Sequence, residues 1–201
     1  IGMAFLFATS TSFAQIPIAQ QGFEENDSWS YTNYPDFYTL NSDKNVFDLF
    51  SSFQDILPHS GSNFLFMRDL NNPYVPELDS GETSNFYHYL TFSTITVPQP
   101  LPDDLKLSFM YYAKGIDYAY NDVIAYELKF DDGDSWSNDW VTNVDSSNSF
   151  TGYLSADTDG EWVLNTIDIP DTVPFVRLRV GGYQNGQRDW AAFDDFSLRH
   201  S

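Results

Sequence analysis

Two-residue periodicity along the chain, connections rich in Asp, Asn, Ser, Gly and Pro, and almost no helical spacing predict an all-β fold. The expected architecture is an antiparallel jelly-roll β-sandwich of about eight or more strands with at most one short helix. The opening "AQQGFEE" is the first strand candidate. "NVFDLFSSFQDIL" alone shows helical spacing, through Val46, Leu49, Phe50, Phe53 and Leu57, and reads as a short helix across one end of the sandwich or as an irregular loop. "FLFMRDL" and "FYHYLTFSTITV" are the next strands, and "VPQPLPDD" is a proline-stiffened crossing rather than a domain linker. In "LKLSFMYYA", Leu105, Leu107, Phe109, Tyr111 and Ala113 share one face and Lys106, Ser108, Met110 and Tyr112 the other. "VIAYELKF" and "FVRLRVGG" repeat the pattern, so each reads as a half-buried strand. "WVLNTIDIP" and the closing "WAAFDDFSL" complete the set.

Composition supports a large core and excludes some partners. The chain has 201 residues, is 42% hydrophobic and carries 18 Phe, 13 Tyr and 5 Trp, which argues against disorder despite a net charge of −20. Nine Lys and Arg oppose 29 Asp and Glu, so nucleic acid is not an expected partner and anionic membrane surfaces are disfavoured. No later stretch is long enough for membrane insertion as a helix. The absence of cysteine removes disulfides, thiolate metal sites and cysteine nucleophiles. "GMAFLFATSTSFAQ" reads as the apolar and cleavage regions of a secretory signal peptide. Residues 1–14 are therefore assigned to that peptide and residues 15–201 to one secreted or cell-surface domain.

The closing strand poses a problem, because aspartate is depleted in strands and costly to bury alone. Strict alternation places Ala192, Asp194, Phe196 and Leu198 on the inward face and Phe193, Asp195 and Ser197 outward. An inward Asp194 needs a partner. One answer is calcium, shared with Glu24 or Glu25 of the first strand, which would join the two ends of the domain. The other is Arg68, Arg177 or Arg179, or a turn that the carboxylate caps.

The Phe23-Glu24 pair, the following "NDSW" and the closing "FDDFSL" resemble extracellular jelly-roll modules, among them galactose-binding-like carbohydrate-binding modules and MAM-like domains. "GSNFLFMRDL", "DVIAYELKFDDGDSW", "IDIPDTVPFVRLRV" and "YQNGQRDWAAFDDFSL" resemble a narrower group, the jelly-roll modules of secreted multidomain Bacteroidota proteins. These stretches span most of residues 20–198. The resemblance implies a structural calcium near the termini, with Glu24 and Asp194 as ligands and Asp69 and Asp122 as further candidates.

Ring clusters in the apparent loops have the composition of a glycan site: Tyr118 and Tyr120, Trp136 and Trp140, and Tyr183 and Trp190. Such rings stack on sugar faces while nearby Asp, Asn and Gln bind hydroxyls. The bland reading is rim packing in a ring-rich sandwich. "SADTDGEWVLNT" and "DDGDSWSNDW" lack the terminal glutamate of an EF-hand loop and read as solvated hairpins. His59, His88 and His200 belong to no metal pair or triad, and no nucleophile elbow is present, so the chain is not expected to be an enzyme. The expected function is a secreted binding module for polysaccharide, stabilised by Ca2+. The alternatives are a protein-binding adhesion or spacer module and, less favoured, a jelly-roll glycoside hydrolase.

Overall fold

The computed structural model describes residues 17–40, 44–70, 88–99, 105–117, 122–130, 149–155, 157–170, 172–184 and 186–200. The expected signal peptide lies outside them. Among the described residues there are thirteen strands and no helix. They are β1 (Ala19–Gln21), β2 (Tyr31–Tyr34), β3 (Tyr38–Leu40), β4 (Asn45–Phe50), β5 (Phe64–Arg68), β6 (His88–Phe92), β7 (Ile95–Thr96), β8 (Leu105–Lys114), β9 (Val123–Lys129), β10 (Ser149–Tyr153), β11 (Val163–Ile169), β12 (Phe175–Tyr183) and β13 (Trp190–His200). They form a 7-stranded sheet in the order β11-β8-β13-β5-β4-β3, with β1 on β13. The second sheet is 6-stranded, in the order β10-β9-β12-β6-β2, with β7 on β12. Every pairing is antiparallel. The all-β jelly-roll sandwich expected from the periodicity is the fold.

The alternating apolar residues meet between the sheets. Leu107, Phe109 and Tyr111 of β8, Ile124, Tyr126 and Leu128 of β9, and Val176, Leu178 and Val180 of β12 belong to one buried cluster. Rings dominate its centre. Phe196 lies 4.6 Å from Phe92 and 5.3 Å from Phe109, and Trp29 lies 4.9 Å from Phe92. The buried Trp29 satisfies its indole N–H on the Ser93 carbonyl at 2.8 Å.

Two expectations are corrected for one reason, while the irregular-loop reading holds for the residues after β4. The helical spacing in "NVFDLFSSFQDIL" belongs to β4 and an irregular turn. Phe47 faces the main core while Val46 and Phe50 join a second apolar cluster on the outer face of the same sheet. A strand buried on both faces shows apolar residues at mixed spacing, which imitates a helix. Phe53 and Ile56 then exchange backbone hydrogen bonds of 3.0 and 2.9 Å around Gln54, which takes a positive φ of 51°. Likewise β8, β9 and β12 are buried almost throughout rather than half-buried. Met110 and Tyr112 are covered on the outer face of the first sheet, and Glu127, Arg177 and Arg179 are buried on that of the second.

The second outer face holds a charged pair. Arg179 Nη2 donates to Glu127 Oε2 at 2.7 Å, both side chains are 2% exposed, and the guanidinium lies 4.7 Å from the Tyr89 ring. Tyr89 in turn stacks on Tyr34. Removing one member strands a buried charge, whereas replacing both with apolar groups removes the need for the pair. Glu127→Gln should therefore cost about 3 kcal/mol or more in urea unfolding, and the double variant Glu127→Gln/Arg179→Met should recover most of that loss.

Candidate functional site

The aspartate pair is explained by one extra residue. β13 pairs with β8 in one register up to Asp194↔Met110 and resumes at Ser197↔Ser108, and Asp195 takes a positive φ of 51°. This is a β-bulge, with the left-handed backbone that aspartate tolerates better than most residues. The bulge reverses the parity of everything after it. Ala191 and Phe193 face the core, and so do Phe196 and Leu198. Asp194 pairs with Met110 on the outer face, which corrects the inward placement drawn from strict alternation.

Asp194 is nonetheless fully buried, because a loop covers it. Its Oδ2 accepts the backbone N–H groups of His59 at 2.9 Å and Ser60 at 3.3 Å, and its Oδ1 accepts the N–H of Asp195 at 2.8 Å. Asp195 holds the same loop through Ser60 Oγ and His59 Nδ1, each at 2.5 Å. Glu24 grips its far end, with Oε1 accepting Ser62 N–H at 2.6 Å and Asn63 N–H at 3.0 Å. Asn63 Nδ2 donates to the Phe23 carbonyl at 3.2 Å. Glu24 and Asp194 thus converge on one five-residue loop, as the first and last strands bring them together. Arg68 is engaged elsewhere, donating to the Gln187 carbonyl at 2.8 Å. Burial first, and the adjacent Asp195 second, push the Asp194 carboxyl up to about 7, against the three N–H groups that lower it.

Beside this loop the outer cluster opens as a groove of about 550 Å³. Tyr112, Trp162 and Trp190 are the rings that line it, over the buried Phe53, Phe64 and Phe66. Phe53 stacks on Phe66 at 4.1 Å, Phe66 meets Trp190 edge-on at 6.1 Å, and Trp162 meets Phe64 at 5.8 Å and Tyr112 at 6.1 Å. Trp162 is fixed by its indole N–H to the Leu57 carbonyl at 2.9 Å. Trp190 donates to the Gln187 carbonyl at 3.2 Å, with Lys114 Nζ 4.9 Å and the Arg68 guanidinium 5.5 Å from its ring. Gln54, Asp55, His59, Lys114 and Glu161 supply polar groups around the rings. Trp190 was expected to be a ligand-stacking residue. Trp162 was not, because it stands at the mouth of a strand whose alternation explained it.

Asp69 and Asp122 do not join Glu24 and Asp194. Asp69 directly follows β5, opposite the residue that precedes β13, and so lies about 16 Å from Asp194 along that strand. There it meets Asp117, Asp122 and Asp189. Burial, then the charge of Asp122 and a hydrogen bond to it, and then Asp69 and Asp117, push the Asp189 carboxyl up to about 6. Gly186 gives Asp189 room, since a Cβ there would strike its carboxylate, and a Cβ on Gly115 would strike the Arg188 carbonyl just before it. Tyr183 also stands here, its hydroxyl pKa raised by burial and by Asp122 and Asp69, rather than in the groove. Among the described residues no three acidic or histidine side chains stand at metal-ligating separation. Tyr118, Tyr120, Trp136 and Trp140 lie outside the described residues.

No family model matches the chain, and no curated protein matches it. Solved structures do. The K3 cleaved adhesin domain of Lys-gingipain from Porphyromonas gingivalis is 17% identical, with 92% of this chain and 99% of that one covered and a TM-score of 0.48. The CBM22-1 xylan-binding domain of Paenibacillus barcinonensis Xyn10C is 12% identical over 94% and 97%, with a TM-score of 0.47. The module TmCBM61, solved with β-1,4-galactotriose, is 13% identical over 86% and 88%, with a TM-score of 0.42. Likeness at this level concerns the sandwich and not its ligand.

The raised Asp194 carboxyl makes stability depend on pH. The folded chain binds this proton more tightly than the unfolded chain, whose carboxyl keeps the ordinary value of 3.8. The contribution is complete below that value and is lost as pH rises through about 7. In urea unfolding with EDTA, stability attributable to Asp194 should fall between about pH 4 and pH 8, and Asp194→Asn should flatten that slope.

Proposed function

We propose that the chain is a non-catalytic carbohydrate-binding module that attaches a larger extracellular protein, or the cell surface, to polysaccharide. The observation that carries this reading is the ring-floored groove, with Trp162 and Trp190 half-buried in it and carboxylate, amide, imidazole and ammonium groups around them. That combination suits a pyranose, which offers an apolar C–H face and a ring of hydroxyls. Ser60, His59 and Asp195 do not argue for catalysis. Both Ser60 and His59 bond to Asp195, whereas a nucleophilic triad needs the imidazole between serine and carboxylate.

A structural calcium on Glu24 and Asp194 belongs to the same proposal. The donor set fits. Asp194 Oδ1 accepts one N–H and lies where a Cβ on Gly22 would come within 3.8 Å of it, and Asp195 Oδ1 would stand 3.4 Å from that Cβ. The bare backbone of Gly22 therefore leaves space beside two carboxylates. Calcium supplies the positive charge that this crowded pair lacks and would lock the covering loop to both chain ends.

A protein-binding adhesion module is the second reading. It is favoured by the edge strand β11, which exposes Val163 and Leu164, and by the exposed Leu57.

A polysaccharide array probed with residues 15–201, with calcium and with EDTA, separates the readings. Binding to a defined glycan class is expected, and Trp162→Ala and Trp190→Ala should each weaken it about tenfold, or about 1.4 kcal/mol. A folded protein that binds no glycan under either condition would sink this function and leave adhesion. Calcium at about 100 times its Kd should add about 2.7 kcal/mol of stability, and Glu24→Gln and Asp194→Asn should each diminish that gain.

A further inference from the structure

The rings of the groove differ in what surrounds them. Trp190 stands between two cations, because Arg68 of β5 and Lys114 of β8 are its register partners on either side. The Arg68 guanidinium lies 5.5 Å and Lys114 Nζ 4.9 Å from the ring centroid. Two of the chain's nine Lys and Arg thus flank one ring. At the other ring, Glu161 lines the groove directly before Trp162. Tyr112, which meets Trp162, has its hydroxyl pKa raised by burial first and then by the charges of Asp157 and Asp55. The groove is therefore polarised, with cations beside Trp190 and acids beside Tyr112 and Trp162.

A second observation is what these cations are bound to. With 29 acids to nine bases, carboxylate partners are abundant. Lys106 has Asp168 at 3.5 Å, and Arg179 has Glu127 at 2.7 Å. Arg68 donates to the Gln187 carbonyl, and its charge opposes the burial that raises the Asp69 carboxyl. Lys114 differs from these. It is exposed and lines the groove, and among the described residues its ammonium has no hydrogen-bond or ion-pair partner. The Trp190 ring is what holds it. Contact with a ring face keeps an ammonium in place and leaves N–H donors for an oxygen.

We propose that the groove takes an acidic sugar, whose carboxylate or sulfate-ester oxygens meet Lys114 beside Trp190 while Arg68 adds positive charge from the other side of the ring. This inference rests on the groove being the glycan site, and it names the class of glycan. Glu161 and Asp55 accept hydroxyl hydrogens of a neighbouring sugar, so the anionic group belongs at the Trp190 end. The net charge of −20 repels a polyanion at long range. Screening limits that repulsion to about 8 Å at physiological ionic strength, so a cation touching the anion decides the outcome.

Calorimetric titration of the full chain tests this. The probes are glucuronate-substituted xylan, polygalacturonate and a sulfated galactan, each beside its carboxyl-reduced or desulfated counterpart. At least one acidic probe should bind about fivefold more tightly than its counterpart, or about 1 kcal/mol. Carboxyl reduction and desulfation separate the two oxyanions. That ratio should fall to about one in Lys114→Gln and persist in Lys114→Arg. Counterparts that bind as tightly as the acidic probes overturn the inference and leave the glycan-binding module standing. A folded Lys114→Gln variant that keeps the full preference also overturns it. A folded chain that binds neither acidic nor neutral glycan overturns both.

Discussion

The extra residue in β13 is the constraint on which the rest of the first sheet depends. This strand lies inside the sheet, with β8 along one edge and β5 and then β1 along the other. The bulge falls where β5 has ended and β1 has yet to begin. It lets Phe193 and Phe196 both face the core, where they pack 6.3 Å apart. Without it, one of the two rings would turn to the outer face. The same bulge turns two carboxylates toward the gap in the sheet edge, where backbone N–H groups of the 59–63 loop meet them. Loop and bulge thus complete each other, one supplying donors and the other acceptors.

That loop carries the effect outward. His59 belongs both to the aspartate clamp and to the groove, and Leu57 just before it receives the Trp162 indole N–H. The groove wall is therefore braced by the clamp, while its floor is braced by the rings of Phe53, Phe64 and Phe66. The groove exists because the first sheet is apolar on both faces. Its inner face makes the sandwich, and its outer face, only partly covered by the turn after β4, leaves rings accessible.

Charge is handled differently in three places. On the outer face of the second sheet, Glu127 is neutralised by Arg179. At the bulge, Asp194 is held by N–H dipoles, with the neighbouring Asp195 working against it. At the sandwich end, Asp189 faces the charge of Asp122, and that repulsion together with burial favours its protonated form. A chain with a net charge of −20 has few cationic side chains to spare, so its buried carboxylates fall back on backbone dipoles and protons.

The sequence by itself determined the antiparallel sandwich, the identity of most long strands and the expectation that the first and last strands lie together. The first two follow from local alternation, and the third from the way a jelly roll closes. It misread "NVFDLFSSFQDIL" because burial on both faces destroys the period of two. It misplaced Asp194 because a bulge adds a residue without any compositional mark. Trp162 and Asp189 drew no notice, since each is unremarkable beside its sequence neighbours. Only the tertiary structure decided their roles: the register between strands set which carboxylates face one another, and packing of the outer face set which rings share a groove. Both are long-range pairings, and no local pattern encodes them.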